Sequence, residues 1–170
     1  EHDKFSQSIL ISLNDGILKK VKYSIKKQLK MLPRAKIAKY SLNKYGLFIR
    51  SSSINEVAKI INTIAPEHLE LNIKKYNVLK NKIFNAGSIF LGKYSTEAVG
   101  DYLAGPNHVL PTSGAAKFSS GLSVYDFLKR ISYVNLSKRG IETLGPSVIT
   151  LADFEDLKGH SKSIKLRINK

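Results

Sequence analysis

The chain has 170 residues and a formal net charge of +15, from 28 Lys and Arg against 13 Asp and Glu. That length suits one ordinary domain, or one domain with a small appendage, and a composition of 42% hydrophobic and 24% charged residues excludes wholesale disorder. The absence of cysteine excludes a disulfide framework, a thiolate metal site and a Cys nucleophile, and no apolar run approaches the ~18 residues that span a bilayer. The sequence opens at Glu1 without an initiator Met, and Glu1-His2-Asp3-Lys4-Phe5 lacks the apolar centre of a signal peptide, so a piece of a longer protein is expected.

Ser6-Gln-Ser-Ile-Leu-Ile-Ser-Leu13 is a short run of β-formers and reads as a buried strand. Asn14 and Asp15 then offer capping oxygens for a lysine-rich helix that should stop before Pro33. A second helix is expected from Arg34 to about Leu42, a strand over Tyr45–Arg50, and an amphipathic helix carrying Ile54, Val57, Ile60, Ile61 and Ile64. Phe84–Leu91 reads as another strand, with small residues at Ala86, Gly87 and Ser88 where backbones can approach closely. Strands alternating with helices argue for an α/β fold with a parallel sheet. From Gly105 to Ser123 the pattern dissolves into Gly, Pro, Ser and Thr, a stretch long enough to suggest a functional loop or a linker. Beyond it, Val124–Ile131 and Ile141–Lys162 look mainly helical and the alternation does not resume. The expected division is therefore 1–122 for the α/β part and 123–170 for a small, mainly helical tail domain.

The charge is mostly lysine, densest from Lys19-Lys20-Val21-Lys22 through Lys26-Lys27 to Lys30. At helical spacing Ile17, Val21, Ile25, Leu29 and Leu32 form one apolar stripe, which leaves the lysines on a wet face. A phosphate-binding surface is the competing reading. No interleaved arginines, helix-turn-helix signature or RNA-stacking motif favours nucleic acid as a partner.

The four histidines are His2, His68, His108 and His160. Glu67-His68 follows Pro66 directly after a helix, Asp101 sits in Val-Gly-Asp-Tyr, and His108 sits in Gly105-Pro-Asn-His-Val-Leu-Pro-Thr112. Without cysteine, a transition-metal site would need imidazole and carboxylate ligands, which suits catalytic zinc. No short zinc motif such as H-E-x-x-H is present, so such a site must be assembled from distant segments. Blander readings exist at each position: a surface His–Glu pair at residues 67 and 68, an Asp101 in the first turns of a helix, a His160 acting as a cation near a helix C-terminus. There is neither a G-x-G-x-x-G nor a Walker loop, so no phosphate cradle is legible.

Ile64-Ala-Pro-Glu-His-Leu-Glu-Leu71, Asn85-Ala-Gly-Ser-Ile-Phe-Leu-Gly92, Gly100-Asp-Tyr-Leu-Ala-Gly-Pro-Asn-His-Val-Leu-Pro-Thr112 and Ser120-Gly-Leu-Ser-Val124 closely resemble segments of histidinol dehydrogenase, and Gly159-His-Ser-Lys-Ser-Ile-Lys-Leu-Arg167 is similar to that family's C-terminus. The resemblance is ordered from about residue 64 to the end and compatible before it. It implies a zinc-dependent enzyme, one Zn2+ per subunit, that oxidises L-histidinol to L-histidine with two molecules of NAD in the last steps of histidine biosynthesis. It also implies a cytoplasmic homodimer with shared active sites and no membrane association. The chain would be the C-terminal part: the end of a first Rossmann-like domain at 1–122, then the helical domain at 123–170 that reaches the dimer partner's site. Most NAD contacts would lie in the missing N-terminal half, and the isolated piece would be inactive.

Residue by residue, the resemblance implies zinc ligation by His2, Asp101 and His160. Glu1-His2 is similar to the end of the family's Gln-Ala-Glu-His motif, whose ligating Gln would lie just upstream. Glu67 and His68 match the acid–base pair, and His68, Asp101, His108, Glu155 and His160 match positions that contact substrate. Thr96 and Lys117 depart from the Pro and Arg of many relatives. The chemistry accounts for the residue types. Removing hydride from an alcohol carbon needs a base for the hydroxyl proton, a task suited to the imidazole of His68. Hydrating the aldehyde before the second hydride leaves needs a carboxylate to activate water, a task suited to Glu67.

Overall fold

The computed structural model describes residues 1–168 and divides into two compact units, Glu1–Asp126 and the part from Phe127 onward. In the first unit, strand β1 (Ile9–Ser12) leads to Asn14, whose side-chain oxygen accepts from the amides of Gly16 (2.7 Å) and Ile17 (3.4 Å) and so starts helix α1 (Asp15–Gln28). A tight turn over Leu29–Met31 ends this helical stretch ahead of Pro33. Val21, Ile25 and Leu29 of the apolar stripe are partly buried, Ile17 and Leu32 are more exposed, and the lysines face solvent. Helix α2 (Ala35–Tyr45) returns the chain to strand β2 (Leu47–Arg50), which pairs parallel with β1 from Ile9↔Leu47 to Ser12↔Arg50.

Helix α3 (Ile54–Ile64) opens on a serine-rich cap. Ser53 Oγ accepts from the Glu56 amide (3.2 Å), and Glu56 Oε2 reaches back to the Ser52 amide (2.7 Å) and the hydroxyls of Ser51 and Ser52 (both 2.8 Å). These donors hold the Glu56 carboxyl down at about 2, the Ser52 amide contributing most and the two hydroxyls next. Strand β3 (His68–Leu71), a short helix α4 (Tyr76–Lys80) and strand β4 (Ser88–Leu91) follow, with β3 and β4 parallel from His68↔Ser88 to Leu71↔Leu91. The α/β expectation holds, with the parallel strands divided into two separate pairs.

The β3–β4 pair has two unlike faces. Leu69, Leu71, Ile89 and Leu91 pack with Val57, Ala58 and Ile61 of α3 and Leu79 of α4 to form the core of this unit. The alternate residues, His68, Glu70, Ser88 and Phe90, lie on the opposite face. The strand expected over Phe84–Leu91 begins only at Ser88. Residues 84 and 85 are instead bound by one side chain: Asn62 Oδ1 accepts from the amides of Phe84 (2.8 Å) and Asn85 (3.2 Å), and Asn62 Nδ2 donates to the Lys82 carbonyl (2.8 Å).

Helix α5 (Glu97–Tyr102) follows β4, and the loop after it contains a single tight turn at Ala115–Lys117. The helix expected over Val124–Ile131 is reduced to one turn at Val124–Phe127, after which 128–137 has neither helix nor strand. Val124, Tyr125, Phe127 and Ile131 are all exposed, so no packed face stabilises a longer helix.

In the second unit, α6 (Lys138–Phe154) starts at Ser137, whose Oγ accepts from the Gly140 amide (3.1 Å), and passes through Pro146. It packs against α7 (Lys158–Ile168). The continuous helical stretch expected over Ile141–Lys162 is thus two helices, broken where Asp156 takes a left-handed backbone (φ 59°). Asp153 ties the turn together through Lys158 (3.5 Å) and Lys165 (3.3 Å). Among the described residues no helix is long and apolar enough to cross a membrane.

Candidate active site

The geometry of the site begins with the exit from α3. Ala65 caps that helix in the left-handed conformation (φ 51°) while fully buried, and Pro66 follows, so the chain leaves the helix sharply. The next backbone groups are taken by the segment entering β4: the Gly87 amide donates to the Pro66 carbonyl and the Ser88 amide to the Glu67 carbonyl, both at 2.9 Å. A Cβ on residue 87 would stand 2.6 Å from the Glu67 carbonyl oxygen, so only glycine permits this approach. Glu67 and His68 are consequently fixed at the start of β3, both partly buried.

Helix α5 brings the second half of the site. His68 Nε2 lies 3.1 Å from Asp101 Oδ1, and the His68 ring also lies over Phe90 with centroids 6.0 Å apart and planes at 27°. Phe90 in turn receives the buried Gly100, where an added Cβ would stand 2.3 Å from the ring. A helix bearing any side chain at that position could not sit so low on the strand pair. Glu97, one turn before Asp101, completes the group: donor atoms of His68, Glu97 and Asp101 lie within 4.8 Å of one another.

The electrostatics of this group are unbalanced. Partial burial raises the Glu97 carboxyl above its usual range, and the neighbouring Asp101 carboxyl raises it further; His68 opposes both. Two carboxyls crowd together with one imidazole to offset them. A divalent cation reverses that imbalance, and an imidazole with two carboxylates is a donor set that zinc accepts. The residues present therefore fit a resident zinc ion.

The other expected site residues stand as follows. His2 is exposed, its carbonyl accepting from Arg34 (3.1 Å), and is not part of the His68 group. His108 is exposed in the loop after α5, where Asn107 Oδ1 accepts from the Val109 amide (2.7 Å). Glu155 and His160 belong to the second unit, both exposed, at the end of α6 and in the first turn of α7. His160 therefore does not stand at a helix C-terminus, which removes the reading of it as a dipole-stabilising cation. Glu97, Glu70 and Phe90 escaped the sequence reading. Glu97 precedes Asp101 by one helical turn, and His-Leu-Glu-Leu alternates polar and apolar as a half-buried strand should.

Parallel strands whose polar face carries a partly buried histidine, hydrogen-bonded to a carboxylate on the covering helix, define an α/β protein with a histidine–carboxylate group of metal-binding spacing. The sequence profile described as histidinol dehydrogenase matches residues 1–168. The chain belongs to the histidinol dehydrogenase family. It is 58% identical to the histidinol dehydrogenase of Pelagibacter ubique and 44% identical to that of Zymomonas mobilis, in each case over all of this chain and 40% of the relative. The crystal structure of histidinol dehydrogenase from Elizabethkingia anophelis superposes with a TM-score of 0.89 at 38% identity, covering 99% of this chain and 39% of that one. The chain thus spans about 40% of the length of the curated relatives it matches.

Proposed function

We propose that this chain is the C-terminal part of a zinc-dependent histidinol dehydrogenase, which oxidises L-histidinol to L-histidine with two molecules of NAD. The observation that carries this reading is the His68–Asp101 contact at 3.1 Å beside Glu67, in a chain that aligns from end to end with that family. His68 takes the hydroxyl proton as each hydride leaves, and Asp101 holds the imidazole in place. Glu67, its neighbour at the mouth of β3, activates the water that hydrates the intermediate aldehyde. NAD accepts the hydrides, and its contacts are assigned to residues outside this chain. Bound zinc would hold and orient the substrate by its nitrogen atoms. Of the His68–Glu97–Asp101 group it would take only Asp101, supplied from α5, with His2 and His160 as the further protein ligands, which leaves the His68 imidazole free to take the proton.

In this reading the enzyme is a cytoplasmic homodimer. Residues 123–170 of each copy serve the neighbouring site, so Glu155 and His160 act across the subunit boundary, and His108 contacts substrate from the loop after α5. The lysine-rich face of α1 is a solvated surface.

The test is the full-length gene product with L-histidinol and NAD. NADH should form with a stoichiometry of two per histidinol, stop on treatment with a chelator and return with Zn2+, while residues 1–170 alone should form none. A full-length protein that binds zinc yet leaves histidinol unoxidised would overturn the assignment.

A further inference from the structure

Helix α5 has six residues, too few to hold its own shape or position in water. Thr96, which precedes it, makes no side-chain cap bond. The first amide of the helix, that of Glu97, instead donates to Glu70 Oε1 at 2.8 Å, across 27 residues of sequence. Glu70 lies on β3 two residues beyond His68 and on the same face of the strand. The strand that carries the imidazole therefore also carries the acceptor that fixes the helix bearing Asp101.

We propose that Glu70 is a positioning residue of this active site: its carboxylate tethers the amino end of α5 to β3 and so sets the distance between Asp101 and His68. The proposal rests on the functional reading above. Apart from the His68–Asp101 contact itself, the two points that hold α5 are different in kind. Gly100 on Phe90 fixes how low the helix lies, and is a steric limit that allows sliding. The Glu70 tether is directional and fixes where along the strand the helix begins. An anionic acceptor also suits a helix amino end, where the free amides carry partial positive charge. Loss of the tether should leave the core intact, because the core side of β3 is formed by Leu69 and Leu71.

The experiment uses the full-length protein with Glu70→Leu, which removes the acceptor, and Glu70→Gln, which keeps an oxygen there without the charge. Zinc affinity, read by competition with a chromophoric chelator in the absence of substrate, should weaken about 10–100-fold in Glu70→Leu and recover most of the way in Glu70→Gln. Adding Thr96→Asp to Glu70→Leu supplies a cap from within the helix without any link to β3, and zinc affinity should stay weak. Wild-type zinc affinity in Glu70→Leu, no advantage of Gln over Leu, or recovery with Thr96→Asp would each overturn the tether. Amide exchange over Glu97–Tyr102 in the metal-free protein reads the same contact independently of zinc and catalysis. It should be faster by about tenfold or more in Glu70→Leu, and unchanged exchange counts against the proposal. Should Glu70→Leu fail to fold, Glu70→Ala takes its place on the same measurements. A wild-type protein that neither binds zinc nor oxidises histidinol would defeat the functional reading while leaving the exchange result to decide the tether.

Discussion

Nε2 of His68 and Oδ1 of Asp101 stand 3.1 Å apart although 33 residues separate them in the chain. One comes from the first residue of a strand and the other from the last turn of a six-residue helix laid over it. Each side chain in the contact is about a quarter exposed, so the pair is shielded but reachable. That combination suits the acid–base role proposed for His68.

The full-length enzyme should therefore lose activity sharply at two adjacent positions. His68→Ala and Glu67→Gln are expected to lower kcat by about 10²–10⁴-fold with zinc content unchanged. Steady-state kinetics alongside metal analysis checks this. Full rate in either variant would remove the acid–base role from that residue.

Position 100 should tolerate nothing larger than hydrogen. A methyl group there meets the Phe90 ring at 2.3 Å, and the ring cannot retreat without disturbing its contact with His68. Gly100→Ala should cost about 1–3 kcal/mol of stability by overpacking, measured by denaturant unfolding. Phe90→Leu should recover part of that loss in the double variant.

Asn62 offers a cleaner stability test, because it lies away from the chemistry. Its side chain bonds Lys82, Phe84 and Asn85, and its own carbonyl accepts from Asn85 Nδ2 at 3.0 Å. Asn62→Ala leaves two amides and a carbonyl without these partners and should destabilise the protein by about 1–3 kcal/mol. Asn62→Asp, which keeps only the acceptor side, should fall between.

Acid sensitivity should trace in part to Glu56. Its carboxyl is held at about 2 against an ordinary value of 4.5, so the unfolded chain takes up the proton first as the pH falls. Its contribution to stability is complete above about 4.5 and disappears as the pH drops toward 2. Glu56→Gln should flatten the acid limb of an unfolding-versus-pH curve in that window and leave the limb above it parallel to wild type.

The sequence makes the apolar side of this fold legible and hides much of the polar side. Ile54, Val57 and Ile61 at helical spacing announce α3 and the surface it buries. Asn14 announces the start of α1 through its capping oxygen. The four residues His68–Leu71 form too short a strand to stand out beside a dipeptide rich in chemistry, although their alternation is regular. Phe84 and Asn85, ahead of the strand, are bonded instead by Asn62, more than twenty residues away, and no local pattern encodes that. Glu67, His68 and Asp101 stand out through resemblance to known relatives. Glu97 and Glu70 become visible only when α5 is seen lying over β3, because their roles are relations between segments rather than properties of either.

The alternation of β3 also couples assembly to reactivity. A pairing error of one residue would turn Leu69 and Leu71 outward and drive His68 and Glu70 into hydrocarbon. A one-residue slip thus cannot keep both a sound interior and a misplaced imidazole. The oily side of the strand thereby proofreads which way the reactive side faces.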